Sequence, residues 1–268
     1  MSDLMYKSLN DIRIELGECH RCVLAETRTT VVFGVGNPDA EVMFIGEAPG
    51  KQEDLGAEPF IGAAGQYLNE LLALAGLTRP EIYIANVLKC RPPENRDPRS
   101  EEIEACTPFL RDQVRAVAPM VIVTLGNFAT RFILRTDRGI TGLRGQVHIT
   151  GQFSVLPIFH PAAAIYDRLK RPVMENDFRL LGRLIETRRA ELAVRSTQAS
   201  ASAPGADTPA SAPGADTPAS APGADTPASA PGAAGGSSTP EVALPSSTGA
   251  DVLAGTEAAV SAENGLGL

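Results

Sequence analysis

Four largely apolar runs, Glu41–Ile45, Ile82–Leu88, Met120–Leu125 and Phe153–Ile158, each lead into a polar or glycine-rich turn and then a segment with helical spacing. A strand that is apolar on both faces has no side for water, so such strands belong inside a sheet with helices packed on each face. Strands joined through helices are parallel, because the crossover needs a dozen or more residues. The alternation predicts a three-layer α/β/α sandwich around a central, mainly parallel four-stranded sheet, built by residues 1–195. Helices are expected over 3–16 with Ser2 or Asp3 as cap, over 63–75 closed by Gly76, from a Ser100 cap to just before Pro119, from Asn127 to Leu134, from Ala162, and from Pro172 to Arg195. A brief extra strand at Val31–Phe33 is expected to end at Gly34-Val35-Gly36-Asn37-Pro38.

The remainder cannot extend that core. From Ser196 to Leu268 there is no Lys, Arg, Phe, Tyr or Cys, and from Ala201 the chain repeats Ala-Ser-Ala-Pro-Gly-Ala-Asp-Thr-Pro every nine residues. Such a composition buries too little apolar surface to offset chain entropy, so residues 196–268 are expected to form a disordered acidic tail. A stacked solenoid would need bulky side chains that the repeat lacks. Seven of the 32 acids lie in this tail without a base, leaving 25 against 24 Lys and Arg before it. The formal charge of −8 is therefore the tail's, and the expected domain is near neutral. That balance does not exclude a nucleic-acid partner, which needs only a local basic face, with Lys89, Arg91, Arg96, Arg99, Arg168, Lys170 and Arg171 as candidates. No apolar run approaches the length of a membrane span, and Met1-Ser2-Asp3-Leu4 lacks the regions of a secretory signal. A soluble cytoplasmic protein with no membrane partner is expected.

In parallel sheets chemistry gathers beyond the carboxyl ends of the strands. The first strong strand ends in Gly46-Glu47-Ala48-Pro49-Gly50, followed by Pro59-Phe60-Ile61-Gly62. Two nucleotide-binding readings fail here. Gly46 to Lys51 has the spacing G-x3-G-K with Gln52 where a phosphate loop needs Ser or Thr, and Gly34-Val35-Gly36 has Asp39 in place of a third glycine and opens no helix. What remains is Glu47, Asn86 and His160 at the ends of three strands, able to converge although 113 positions separate the first from the last, with Phe60 in a loop beside them.

The four cysteines stand at 19, 22, 90 and 106, a C-x2-C pair, a gap of 67 and a C-x15-C pair. In an intracellular protein four thiols point to metal rather than disulfides. A structural zinc usually draws two tight pairs, whereas uneven all-cysteine spacing suits an iron-sulfur cluster at least as well. Ligand count leaves both open.

Gly46-Glu47-Ala48-Pro49-Gly50, Pro59-Phe60-Ile61-Gly62-Ala63-Ala64-Gly65, Asn86-Val87-Leu88-Lys89-Cys90-Arg91-Pro92-Pro93, His160-Pro161-Ala162 and the cysteine spacing occur in order between about residues 3 and 190. In combination they resemble the family 4 uracil-DNA glycosylases, the iron-sulfur type. The resemblance implies that residues 1–195 are a uracil-DNA glycosylase domain, a hydrolase of base excision repair that flips uracil out of single- or double-stranded DNA and cuts its N-glycosidic bond. It implies a [4Fe-4S] cluster on Cys19, Cys22, Cys90 and Cys106. Phe60 would stack on uracil, Asn86 would bond its Watson-Crick edge, His160 would contact O2, the main chain of Ala48 would add a contact, and Glu47 would position water near C1′. Arg168, Lys170 and Arg171 would meet DNA phosphates, with Tyr166 or Leu169 as the wedge. The expected state is a monomer whose tail is free to recruit a protein partner. Family 1 relatives place an aspartate where Ala48 stands, so Glu47 inherits a changed setting, and no inserted basic, histidine-bearing segment separates Pro49 from Phe60, which implies turnover rather than covalent trapping. Two rivals stand beside this reading: a glycosylase for another deaminated base, and a non-catalytic iron-sulfur DNA-binding domain.

Overall fold

The computed structural model describes residues 6–201, with side-chain surroundings through residue 198. In chain order the elements are α1 (Leu9–Leu16), β1 (Val35–Gly36), β2 (Val42–Gly46), α2 (Lys51–Gly56), α3 (Ala63–Leu74), β3 (Tyr83–Asn86), α4 (Ser100–Val117), β4 (Val121–Leu125), α5 (Asn127–Leu134), α6 (Ile140–Leu143), β5 (His148–Thr150), β6 (Phe153–Ile158), α7 (Ala162–Tyr166) and α8 (Arg171–Ala201). The strands form one sheet in the order β1-β3-β2-β4-β6-β5. The four inner strands are parallel, and β1 and β5 close the two edges antiparallel.

Period-two alternation divides the inner strands between two cores. Phe44, Ile84, Val123 and Leu156 pack with Leu68, Leu71 and Leu72 of α3 and Phe178 and Leu181 of α8. Met43, Ile45, Tyr83 and Ala85 point the other way, onto Leu110 and Val114 of α4 and Ala129 and Ile133 of α5. Each fully buried side chain of this kind is worth about 1.5–3 kcal/mol relative to exposure, so the sheet is fixed from both sides and its strand ends are rigid.

Several boundaries differ from the sequence reading. Helix α1 begins at Leu9, because Ser8 caps it: the Ser8 hydroxyl accepts the Asp11 N–H, and the Asp11 carboxylate accepts the Ser8 N–H at 3.0 Å; the expected Ser2 or Asp3 cap lies outside the described residues. The early strand pairs at Val35–Gly36 rather than Val31–Phe33, since Gly36 lies so close to Ile82 that a Cβ there would overlap its carbonyl. Ser100 is the first residue of α4 instead of its cap; the Glu102 carboxylate, reaching back to the Arg99 N–H at 2.9 Å, closes that end. Helix α8 runs to Ala201. The rest of the expected tail lies outside the described residues. Among the described residues no helix is long and apolar enough to cross a membrane.

Candidate active site and cysteine centre

The parallel register brings three chain segments to one edge. Gly46 of β2 pairs with Asn86 of β3, and Leu125 of β4 with Ile158 of β6, so Glu47, Asn86 and His160 emerge side by side. Together with Ala48 and Phe60 they line a cavity of about 290 Å³. Phe60 enters from the loop between α2 and α3 with a left-handed backbone, φ 56°, a conformation costing a bulky residue about 1–3 kcal/mol. Two devices hold it there. Glu53 of α2 accepts the N–H groups of Ile61 and Gly62 at 3.2 and 3.0 Å, and Gly65 lets the first turn of α3 lie against the Phe60 carbonyl, where a Cβ would overlap.

Some of the groups facing this cavity have lost water without gaining a protein partner. Asn86 is 2% exposed, and its Oδ1 takes no hydrogen bond. Gly46 makes room beneath: a Cβ there would clash with Asn86 Oδ1 and stand 2.9 Å from the Phe60 ring. The Phe60 and His160 rings lie 5.4 Å apart, tilted by 32°. The Ala162 N–H donates to His160 Nδ1 at 3.2 Å, so the neutral ring carries its proton on Nε2. Burial drives the His160 pKa down to about 4, against a smaller opposing pull from Glu53. At neutral pH the site therefore holds an uncharged imidazole with a free Nε2–H donor. The Glu47 carboxyl is pushed above its ordinary value, first by burial and then by the like charge of Asp97.

Behind Asn86 lies a buried polar brace. Lys89, with no exposed surface, donates to the Asn86 carbonyl at 2.8 Å and to Gln113 Oε1 at 2.6 Å. Gln113 of α4 passes the chain on to the Phe33 carbonyl at 2.9 Å. Burial lowers the Lys89 pKa to about 8. The Lys89 N–H donates in turn to Cys106 Sγ at 3.2 Å.

The cysteines gather on the far side of this brace. Cys90 and Cys106 are buried with Leu24 and Leu88, and Cys22 packs against them. Burial pushes the Cys106 thiol above its ordinary value, Lys89 pulls it back, and Cys22 and Cys19 lie near enough to add smaller upward pushes. Arg28 donates to Cys90 Sγ at 3.5 Å and to the Cys19 carbonyl at 2.8 Å, tying the first pair to the third cysteine. Burial holds the Cys90 thiol up at about 12. Cys22, Cys90 and Cys106 share one apolar cluster, Cys19 packs on the neighbouring cluster of Ile12 and Phe109, and N–H donors reach the sulfurs of Cys90 and Cys106; thiolates of this kind are soft donors that suit an iron-sulfur group. Among the described residues no set of three or more His, Cys, Asp or Glu stands close enough to hold a single metal ion.

Residues 33–180 match the model of the uracil DNA glycosylase superfamily. The chain is similar to the type-4 uracil-DNA glycosylase of Archaeoglobus fulgidus, 47% identical over 186 residues that cover 66% of this chain and 94% of that relative. It is also similar to the enzymes of that name from Sulfurisphaera tokodaii, 42% identical over 67% of this chain and 86% of the relative, and Saccharolobus solfataricus, 41% identical over 64% and 84%. The chain belongs to the type-4 uracil-DNA glycosylases.

Against that family the remaining expected residues can be placed. Arg168, Lys170 and Arg171 do not line the cavity; they sit on the turn and helix start that follow α7. Lys170 pairs with Asp167 at 3.1 Å, Arg171 lies 5.0 Å over the Tyr67 ring, and Arg168 is exposed. Tyr166 and Leu169 are 90% and 84% exposed on the same turn. Sequence reasoning did not single out Glu53, Arg28 or Gln113, whose tasks depend on partners far along the chain. Nor did it place Asn95 and Arg96 in the cavity wall, although the Pro92-Pro93 turn and adjoining charges marked that loop.

Proposed function

We propose that the chain is a monofunctional uracil-DNA glycosylase, which draws uracil out of single- or double-stranded DNA into the cavity beside Phe60 and hydrolyses its N-glycosidic bond. The observation that carries this reading is the Asn86 amide oxygen, buried and unpartnered over Gly46. A buried acceptor without a donor costs about 1–3 kcal/mol, and uracil N3–H supplies that donor. Cytosine presents a lone pair at N3 and leaves Asn86 unsatisfied. Phe60 offers its face for stacking.

Bond cleavage leaves negative charge on uracil and positive character on the sugar. The His160 Nε2–H, fixed by the Ala162 N–H on the opposite nitrogen, is the donor for O2 as charge grows there, and because the ring is neutral at working pH its Nδ1 stays an acceptor and holds that orientation. Glu47, half-buried and with no side-chain hydrogen bond among the described residues while its carbonyl accepts the Leu88 N–H, stabilises the cationic sugar and orients water toward C1′. Ala48 contributes its main chain at the cavity wall. Cys19, Cys22, Cys90 and Cys106 are assigned to a [4Fe-4S] cluster, which supplies a structural clamp between the amino-terminal segment and the Asn86–Cys90 stretch. Arg168, Lys170 and Arg171 are assigned to the DNA backbone, with Tyr166 or Leu169 as the wedge. Such an enzyme starts base excision repair in the cytoplasm, on nucleoid DNA.

The test is release of free base from oligonucleotides carrying uracil, cytosine or hypoxanthine, with an absorption spectrum of the same sample. Brown protein that frees uracil and leaves abasic sites is expected. Faster release of hypoxanthine would reassign the pocket, and cluster-loaded protein that binds DNA yet frees no base would reduce the chain to a binding domain.

A further inference from the structure

The residues lining the cavity can be ordered by depth. Asn86 and Phe60 are 2% and 6% exposed and form its floor, whereas the Arg96 side chain is 29% exposed and stands at the mouth. Among the described residues that line the cavity, Arg96 is the sole cation at neutral pH, since His160 is neutral there. Its position is built. The Glu102 carboxylate, with no exposed side-chain surface, accepts from Arg96 Nη1 at 3.0 Å and Nη2 at 2.5 Å, and the Asp97 carbonyl accepts from Nη1 at 2.9 Å. The loop that carries it is held in an uncommon shape, with Glu94 and Asn95 both left-handed at φ 55° and 56°. Backbone of that kind persists where surroundings over-determine it and concentrates at ligand clamps. A bare helix cap would need neither the two left-handed residues nor a guanidinium facing a cavity.

We propose that Arg96 binds a phosphodiester of the target strand beside the flipped nucleotide. This rests on the glycosylase reading above. Uracil's polar edges are already met at the floor, by Asn86 and His160, so the cation at the mouth faces the part of the nucleotide that remains there, its sugar-phosphate link. Glu102 uses two of the five guanidinium donors; the Nε–H has no partner among the described residues and is left for a phosphate oxygen. Because Glu102 fixes the guanidinium before DNA arrives, little side-chain freedom is lost on binding. The contact positions the strand without reading its sequence, which is what a repair enzyme needs when uracil can occur in any context.

The experiment compares full-length, cluster-loaded parent, Arg96→Gln and Arg96→Lys on single-stranded uracil DNA across a series of NaCl concentrations, with inhibition by free uracil measured alongside. Arg96→Gln is expected to lower kcat/KM at low salt by about tenfold and to flatten the log-log salt slope by about 0.4–0.7, up to one phosphate contact on a single strand. Arg96→Lys should restore the slope. Inhibition by free uracil, which has no phosphate, should stay as in the parent. An unchanged slope in Arg96→Gln overturns the assignment, and so does a parallel loss of free-uracil inhibition, which would place Arg96 on the base. If Arg96→Gln does not hold its cluster, Arg96→Gln combined with Glu102→Gln removes both charges together and is read against the same two outcomes. A parent that frees no uracil would overturn the glycosylase reading and this one with it, whereas an active parent with a slope-neutral variant overturns this one alone.

Discussion

The two ends of the sheet hold cavities of different size and opposite character. At the carboxyl ends of the strands about 290 Å³ is lined by Glu47, Phe60, Asn86 and His160; at the amino ends about 440 Å³ is lined by Asp39, Glu41, Glu81 and Arg189, among others. The larger one has most of its polar groups matched. Arg189 Nε donates to Glu41 at 2.8 Å, the Glu81 carboxylate accepts from the Thr78 N–H at 2.7 Å, and the Asp39 N–H donates to Asn37 Oδ1 at 3.0 Å. The smaller one leaves Asn86 Oδ1 bare, His160 with a free donor, and Glu47 pushed away from its ordinary titration. Size does not distinguish a working site from a crevice here. Unmatched polarity does, because a group kept dry and unpaired in the free protein is a group whose partner arrives with the ligand.

The comparison breaks most sharply at His160. Removing its donor with His160→Ala should slow single-turnover release of uracil by about 10²–10³-fold, while DNA affinity changes little. Filling the floor is the next test: in Gly46→Ala the new methyl meets Asn86 Oδ1 and the Phe60 ring, and a displacement of that kind in a positioned site costs about 10²-fold in rate. Near-normal turnover in that variant would mean that uracil does not sit over Gly46.

Acid should weaken the carboxyl edge. His160 titrates at about 4 in the fold and near 6.5 when unfolded. The unfolded chain therefore takes up the proton first, and stability is lost as pH falls below about 6.5, with the loss complete near 4. Between pH 7 and about 5.5 the cost is about 1 kcal/mol. Glu47, whose carboxyl is raised, works in the opposite sense. Denaturant unfolding of the parent against His160→Gln isolates the histidine, and equal pH slopes for the two would contradict its dry environment. The smallest effect belongs to the other end: Arg189→Ala breaks an ion pair whose side chains are 55% and 47% exposed, worth under about 1 kcal/mol, and uracil release should stay within assay error. A clear loss of activity there would erase the distinction between the two cavities.

The inner strands were legible because burial on both faces writes itself as continuous apolar sequence. The edges were less so. β1 is two residues long and depends on the close approach of Gly36 to Ile82, which no local pattern encodes. β5 left a signal that was not used: Gly151, with φ 60°, and Gln152 separate His148–Thr150 from Phe153, the two-residue spacing of a hairpin. In the site, Glu47, Phe60, Asn86 and His160 were readable as strand ends and loop aromatics next to glycine. The bracing by Glu53, Arg28 and Gln113 was not, since each acts on a carbonyl, sulfur or N–H whose nearness only the tertiary fold creates.

Asn86 and Cys90 are four residues apart, and Lys89 between them grips the Asn86 carbonyl with its side chain and a cysteine sulfur with its main chain. Base recognition and the cysteine centre are thus written into one short stretch of sequence. For anyone transplanting this pocket to a smaller scaffold, the minimum cassette is not the four residues proposed to touch uracil. It must include residues 86–90 together with Cys106 and Gln113 of α4. A change at Cys106 therefore reaches, through the Lys89 main chain and side chain, the strand end proposed to tell uracil from cytosine.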